Sequence, residues 1–125
     1  KMKNQNKKSK IYTITPRKAA VFFIDRHRYD LDSATFVCDF WNEMPVDSEC
    51  CMKENLFVTN AGSWVLYGTG GSQTKYGRQL ADGRFVAGTG IKILQRIEAY
   101  DYIEQMGKMD DVTCQAYFFD IVKEG

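Results

Sequence analysis

Eight of the ten glycines fall between Gly62 and Gly90, and that clustering limits what the middle of the chain can be. Glycine in a helix interior costs roughly 0.5–1 kcal/mol relative to alanine, and here it alternates with short apolar runs and turn pairs. Such punctuation reads as strands and hairpins. Residues 56–59 and 64–68 flank Asn60-Ala61-Gly62-Ser63, whose glycine supplies the positive φ that a tight hairpin needs. A second pair, 76–80 and 84–87, flanks Ala81-Asp82-Gly83, and 91–94 reads as another short strand.

Outside this stretch the pattern changes. Residues 10–15 alternate as a short strand, and Thr15-Pro16 then looks like a helix start, with threonine as cap and proline at the first helical position. The helix is expected to reach Arg28, although 19–24 is apolar all round and a buried strand fits the same residues by period. Asp32 caps a second expected helix over 33–44, where Phe36, Val37, Phe40, Trp41 and Met44 make one wide apolar stripe ended by Pro45. Ile97, Tyr100 and Ile103 recur at helical spacing, with Gly107 at a C-terminal cap. Residues 111–122 read as a closing strand, apolar on both faces and therefore central.

A chain of 125 residues, 44% apolar and 26% charged, fits one domain with a real core. The formal charge of +1 lacks the strongly basic balance of a dedicated nucleic-acid binder. Charge is nevertheless uneven: Lys1, Lys3, Lys7, Lys8, Lys10, Arg17 and Lys18 stand with no acid among them, whereas Asp25, Asp30, Asp32, Asp39, Glu43, Asp47, Glu49 and Glu54 face only Arg26, Arg28 and Lys53. Residues 1–9 are expected to be a flexible basic arm, and 10–125 a single domain. No apolar run approaches the roughly 18–20 residues of a membrane span, and no segment of signal-peptide type follows the polar start, so a cytoplasmic protein is expected. Cys38, Cys50, Cys51 and Cys114 read as reduced thiols, and neither their spacing nor the lone His27 offers a zinc site, so no metal and no cofactor are expected.

The most tempting chemical feature is Gly68-Thr69-Gly70-Gly71-Ser72-Gln73-Thr74-Lys75, since successive N–H groups in a glycine-rich turn can cradle a phosphate. It lacks the glycine before its lysine that a P-loop needs, and Gln73 stands where a dinucleotide fingerprint has its last glycine. A ligand site here would use Gly70, Gly71, Ser72, Thr74, Lys75, Arg78 and Arg84. His27 reads as a structural histidine on the packing face of its helix, and no Ser or Cys stands in a nucleophile turn, so no catalytic residue is assigned. The expected second helix offers Asp39, Glu43 and only Asn42, where a DNA-reading helix would present Arg, Lys, Asn or Gln to base edges. Seventeen aromatic residues exceed what a small core needs, and Trp64, Tyr67 and Tyr76, with Asp39 and Glu43, are candidates for a partner contact.

Glu54-Asn55-Leu56-Phe57, then Gly62-Ser63-Trp64-Val65-Leu66-Tyr67-Gly68, then Gly70-Gly71-Ser72-Gln73-Thr74-Lys75-Tyr76 follow in order. This succession resembles a group of small uncharacterised accessory proteins of bacterial mobile elements and phages, over about residues 54–107. The group usually has Glu at the position of Thr69 and Pro at that of Leu94. The resemblance implies a phage or mobile-element setting and transfers no activity to particular residues.

The sequence therefore predicts an α+β domain, with an N-terminal helical hairpin and a later helix packed on an antiparallel sheet. The expected function is non-catalytic protein–protein interaction, with a host or phage protein as partner and an anti-CRISPR-like block of a host defence complex as one form. The alternative class is a phosphate or nucleotide binder at the Gly68 to Lys75 turn, and the third is nonspecific nucleic-acid contact through Lys7, Lys8 and Lys10. Exposed aromatics would equally serve a homo-oligomer.

Overall fold

The computed structural model describes residues 10–15 and 20–125. In chain order, β1 (Ile11–Ile14) is followed by β2 (Val21–Ile24), β3 (His27–Asp30), β4 (Thr35–Trp41), β5 (Met52–Val58), β6 (Trp64–Gly70), β7 (Arg78–Gln79), β8 (Phe85–Val86) and β9 (Gly88–Leu94). Helix comes last, as α1 (Arg96–Gln105) and α2 (Asp111–Thr113), which runs on as a π-helical turn, Cys114–Phe118. Five strands form one antiparallel sheet in the order β1-β9-β6-β5-β4, and β2-β3 and β7-β8 are separate hairpins. Among the described residues no helix is long and apolar enough to cross a membrane.

The period of two sorts the central strands onto two faces. On one, Leu56, Val58, Trp64, Leu66 and Leu94 pack with Cys38 against Ala99, Ile103 and Phe118 of the helical layer. On the other, Val65 and Ile91 pack against Phe22, Tyr29 and Leu31 of the β2-β3 hairpin and its exit. Because β6 is buried on both sides, it reads as an almost unbroken apolar run rather than an alternating one.

The expected N-terminal helical hairpin is corrected: the described residues between 20 and 44 form strands and connections. The Thr15-Pro16 start lies partly outside the described residues, as does the basic arm 1–9. What reads as one helix to Arg28 is instead β2 and β3, turned at Asp25 and Arg26, both with positive φ (50° and 67°). Two left-handed residues in succession make a tight hairpin turn without glycine, and so without its usual signal. The expected helix over 33–44 is β4, whose pairing with β5 shifts register between Phe36 and Cys38. That bulge breaks the alternation, which leaves an apolar spacing that imitates a helical stripe. His27 accordingly sits exposed on β3, its Nδ1 3.0 Å from the Asp25 carbonyl, and lines no helix face.

The closing strand is corrected as well. Asp110 accepts a hydrogen bond from the Thr113 N–H at 2.8 Å and caps a helical segment there. Tyr117, Phe118 and Ile121 pack inward at helical spacing, with Phe118 stacked on Trp64 at 5.2 Å between ring centroids.

Candidate functional site

The glycines of β6 and β9 face each other across the ladder, Gly68 opposite Gly90 and Gly70 opposite Gly88. Together they make a flat window in an otherwise side-chain-covered sheet, and the loop between β6 and β7 folds back onto it. A Cβ on Gly68 would fall inside the Tyr76 ring, one on Gly70 would meet the Thr74 side chain, and one on Gly88 would meet the Tyr76 carbonyl. Glycine is needed at these positions for close approach, since none of the three has a positive φ.

Over this window lies the most unusual chemistry of the molecule. Glu54 of β5 is buried to 1% exposure, and Gly68 opposite it leaves room for a partner. The Tyr76 hydroxyl donates to its Oε2 at 2.7 Å, the Tyr102 hydroxyl of α1 donates to its Oε1 at 2.9 Å, and Lys75 Nζ lies 2.9 Å from Oε2. Burial pushes both phenols far above the ordinary tyrosine range, and hydrogen bonding and charge from Glu54 add to it, so both hydroxyls stay protonated donors. The carboxylate thus joins sheet, loop and helix at one point. Among the described residues no buried side-chain nitrogen or oxygen lacks a partner. Saturated by three donors and shut from solvent, Glu54 is placed to hold elements together rather than to meet a substrate.

The glycine-rich turn is similarly committed to its own structure. The Gly71 N–H donates to Cys51, Gln73 to Glu49, Thr74 to Gly71 and Gly77 to Thr74, all to carbonyls between 2.9 and 3.1 Å. The Thr74 hydroxyl donates to the Gly71 carbonyl and accepts from the Tyr76 N–H. The N–H groups of Gly71, Gln73, Thr74, Tyr76 and Gly77 are thereby spent on neighbouring backbone and side chain rather than left to converge on a phosphate. Of the side chains assigned to such a site, Lys75 turns to Glu54, Arg84 pairs with Asp82 at 2.8 Å, and Arg78 is exposed on β7. Gly70 and Gly71 pack tightly, and Ser72 is half-buried beside them.

The residues assigned to partner contact divide in two. Trp64 and Tyr76 are buried and Tyr67 packs half-buried against Phe22, so these rings serve the interior. Asp39 and Glu43 are exposed, Asp39 lying 3.7 Å from Lys108. Lys10 is exposed over the Tyr12 ring at 5.0 Å, while Lys7 and Lys8 lie outside the described residues. All four cysteines are free thiols.

Sequence reasoning missed a corner of the sheet where apolar side chains meet solvent. Trp41 ends the edge strand β4 at 47% exposure, followed by Met44 and by Val46 at 77%, with Phe36 further up the strand. Beside them opens a cleft of about 660 Å³ whose floor is Lys53, Thr69 and Thr89, one cross-strand row, and whose rim carries Val46, Phe85 and Val86. Lys53 also lies over the Trp41 ring, 5.8 Å from its centroid, and joins strand and cleft into one surface. Pro45 ending the run at Met44 was the available signal, once 35–41 is taken as strand rather than helix. Compared with known proteins, the chain matches no family model, no curated protein and no solved structure.

Proposed function

We propose that this chain is a non-catalytic protein-binding module of a phage or mobile element, acting by occupying a surface of a host complex. The observation that carries the reading is the concentration of exposed apolar groups, Trp41, Met44, Val46 and Phe85, around one edge of the sheet. Contiguous exposed apolar surface rimmed by polar residues marks interaction sites, whereas scattered single residues do not. The saturated Glu54 cluster and the spent turn donors support contact area over chemistry as the source of function. The phage or mobile-element setting rests on the sequence resemblance over residues 54–107.

Affinity capture from a host lysate tests it, with wild type compared against a Trp41→Ser, Val46→Asp double variant. Val46 is freely exposed, whereas Trp41 is half-covered and its indole N–H donates to the Met44 carbonyl at 3.0 Å, so the variant should stay folded with a loss of about 1–2 kcal/mol, chiefly at Trp41. A specific partner retained by wild type and lost by the variant is the expected result. Identical captures from both would overturn the reading, and a several-degree rise in melting temperature with one nucleotide would replace it by ligand binding.

A further inference from the structure

We propose that β4 receives an extended, basic segment of the partner as an added strand of the sheet. The inference rests on the protein-binding reading and specifies how the contact is made.

β4 is the last strand of the five, with a partner on one side only. Just beyond it, the Asn42 N–H donates to the Met52 carbonyl at 3.1 Å, which makes 42 and 52 a hydrogen-bonded pair. In an antiparallel ladder such pairs alternate with pairs whose N–H and C=O turn away. Counting back along the register, Phe40 opposite Glu54 and Cys38 opposite Leu56 bond to β5, while Trp41 and Asp39 direct their backbone groups outward. The bulge between Phe36 and Cys38 limits the regular edge to 38–41. Two outward residues in register are the template that an incoming strand uses.

The chemistry of the occupant follows from charge. Asp39 lies on this edge, and Glu43, Asp47 and Glu49 are exposed in the connection that leaves it. Asp47 and Glu49 also line the cleft, together with apolar Val46 and Phe85 and one cation, Lys53. A segment alternating lysine or arginine with apolar residues has its cations on one face and its apolar groups on the other: the cations would lie on the face that Asp39 shares with the Trp41 ring, and the apolar groups on the face of Phe40. A second copy of this chain fits less well: a two-fold pairing that uses both outward residues sets Asp39 opposite Trp41, and β4, which carries no lysine or arginine, offers the acids no counter-charge.

The test uses the full chain and a short fluorescent peptide alternating lysine and valine, with a glutamate and valine twin as control, read by anisotropy. The lysine peptide should bind, should weaken with added salt, and should outcompete the twin. Asp39→Pro removes the outward N–H but no ladder bond, the one kind of strand position where proline is tolerated. Asp39→Ala loses the same Lys108 contact and keeps the N–H. Binding should therefore be about three- to tenfold weaker in Asp39→Pro than in Asp39→Ala, the range for one hydrogen bond. Should the proline variant unfold, Asp47→Lys with Glu49→Lys gives the second reading, in which peptide preference reverses. Equal binding by Asp39→Pro and Asp39→Ala, unchanged preference in the lysine variant, or no peptide binding would each overturn strand addition, as would a dimer abolished by Asp39→Pro. Partner capture lost in Trp41→Ser, Val46→Asp but kept in Asp39→Pro would leave the module standing and remove only its mode. Capture unaffected by either would remove the module itself.

Discussion

Replacing Gly68 by alanine adds one methyl group, and the structure says where it must go. The position has no positive φ, so the backbone accepts alanine, but the new Cβ would occupy the Tyr76 ring. That ring cannot shift slightly, because its hydroxyl is held by Glu54 at 2.7 Å and its own carbonyl rests against Gly88. Expelling it loses the burial of a large side chain, about 1.5–3 kcal/mol, and a hydrogen bond to a carboxylate, about 1.5–3 kcal/mol. Part of the burial is already present in the unfolded chain, so the expected cost is about 3–5 kcal/mol. Urea unfolding should show the midpoint falling by about 2 M at a typical slope. The decisive arm is a double-mutant cycle. In a Tyr76→Ala background the methyl group enters vacated space, and Gly68→Ala should cost less than about 1 kcal/mol, leaving a coupling of at least about 2 kcal/mol. A cost below about 1 kcal/mol in wild type, or equal costs in both backgrounds, would refute the view that the glycine window exists to seat this loop.

Other outcomes follow from the same contacts. Glu54→Gln keeps the shape but loses the charge that three donors address; an equilibrium unfolding series should show a loss of about 2–4 kcal/mol, little of it from the half-exposed Lys75. Because the folded state raises the phenols of Tyr76 and Tyr102, their contribution is fully present below the ordinary tyrosine value of about 10 and is lost above it. Alkaline denaturation should therefore be shallower in a Tyr76→Phe, Tyr102→Phe variant, and equal pH slopes would contradict the buried pair. At the acid end, the Thr113 N–H holds Asp110 and the Arg96 guanidinium holds Asp120 below the usual carboxylate range. Their contribution is present above about pH 4 and disappears as pH falls through the lowered values, so Asp110→Asn and Asp120→Asn should flatten the acid limb of a melting-temperature profile.

The parts of the fold legible in the sequence are those with local signals. Gly62 and Gly83 adopt the positive φ (88° and 92°) that their hairpins require, and Gly107 (71°) follows α1. In the first third the strand over 10–15 was legible and 19–24 fitted a strand as well as a helix, but the rest was hidden for a physical reason: Asp25-Arg26 makes a hairpin turn from residues that seldom take positive φ, and the β4 bulge makes a strand look helical. In the last segment two periods compete. Cys114, Tyr117, Phe118 and Ile121 carry a helical spacing inside a run that also alternates, and the Asp110 cap decides between them. Of the Glu54 cluster, Lys75 and Tyr76 stood out as glycine-loop neighbours, but nothing local tied them to Glu54 or Tyr102. That meeting depends on strand register and on where α1 lands, contacts separated by 22 and 48 residues.

Amide hydrogen exchange followed residue by residue in the full chain separates a turn that satisfies its own donors, beside an open strand edge, from a loop that waits for a ligand. Slow exchange is expected at Gly71, Gln73, Thr74, Tyr76 and Gly77, whose N–H groups are bonded within the protein. Along the sheet edge exchange should alternate, slow at Cys38, Phe40 and Asn42 and fast at Asp39 and Trp41. Rapid exchange throughout 71–77 that slows on adding phosphate or a nucleotide, with uniform protection along β4, would contradict both expectations.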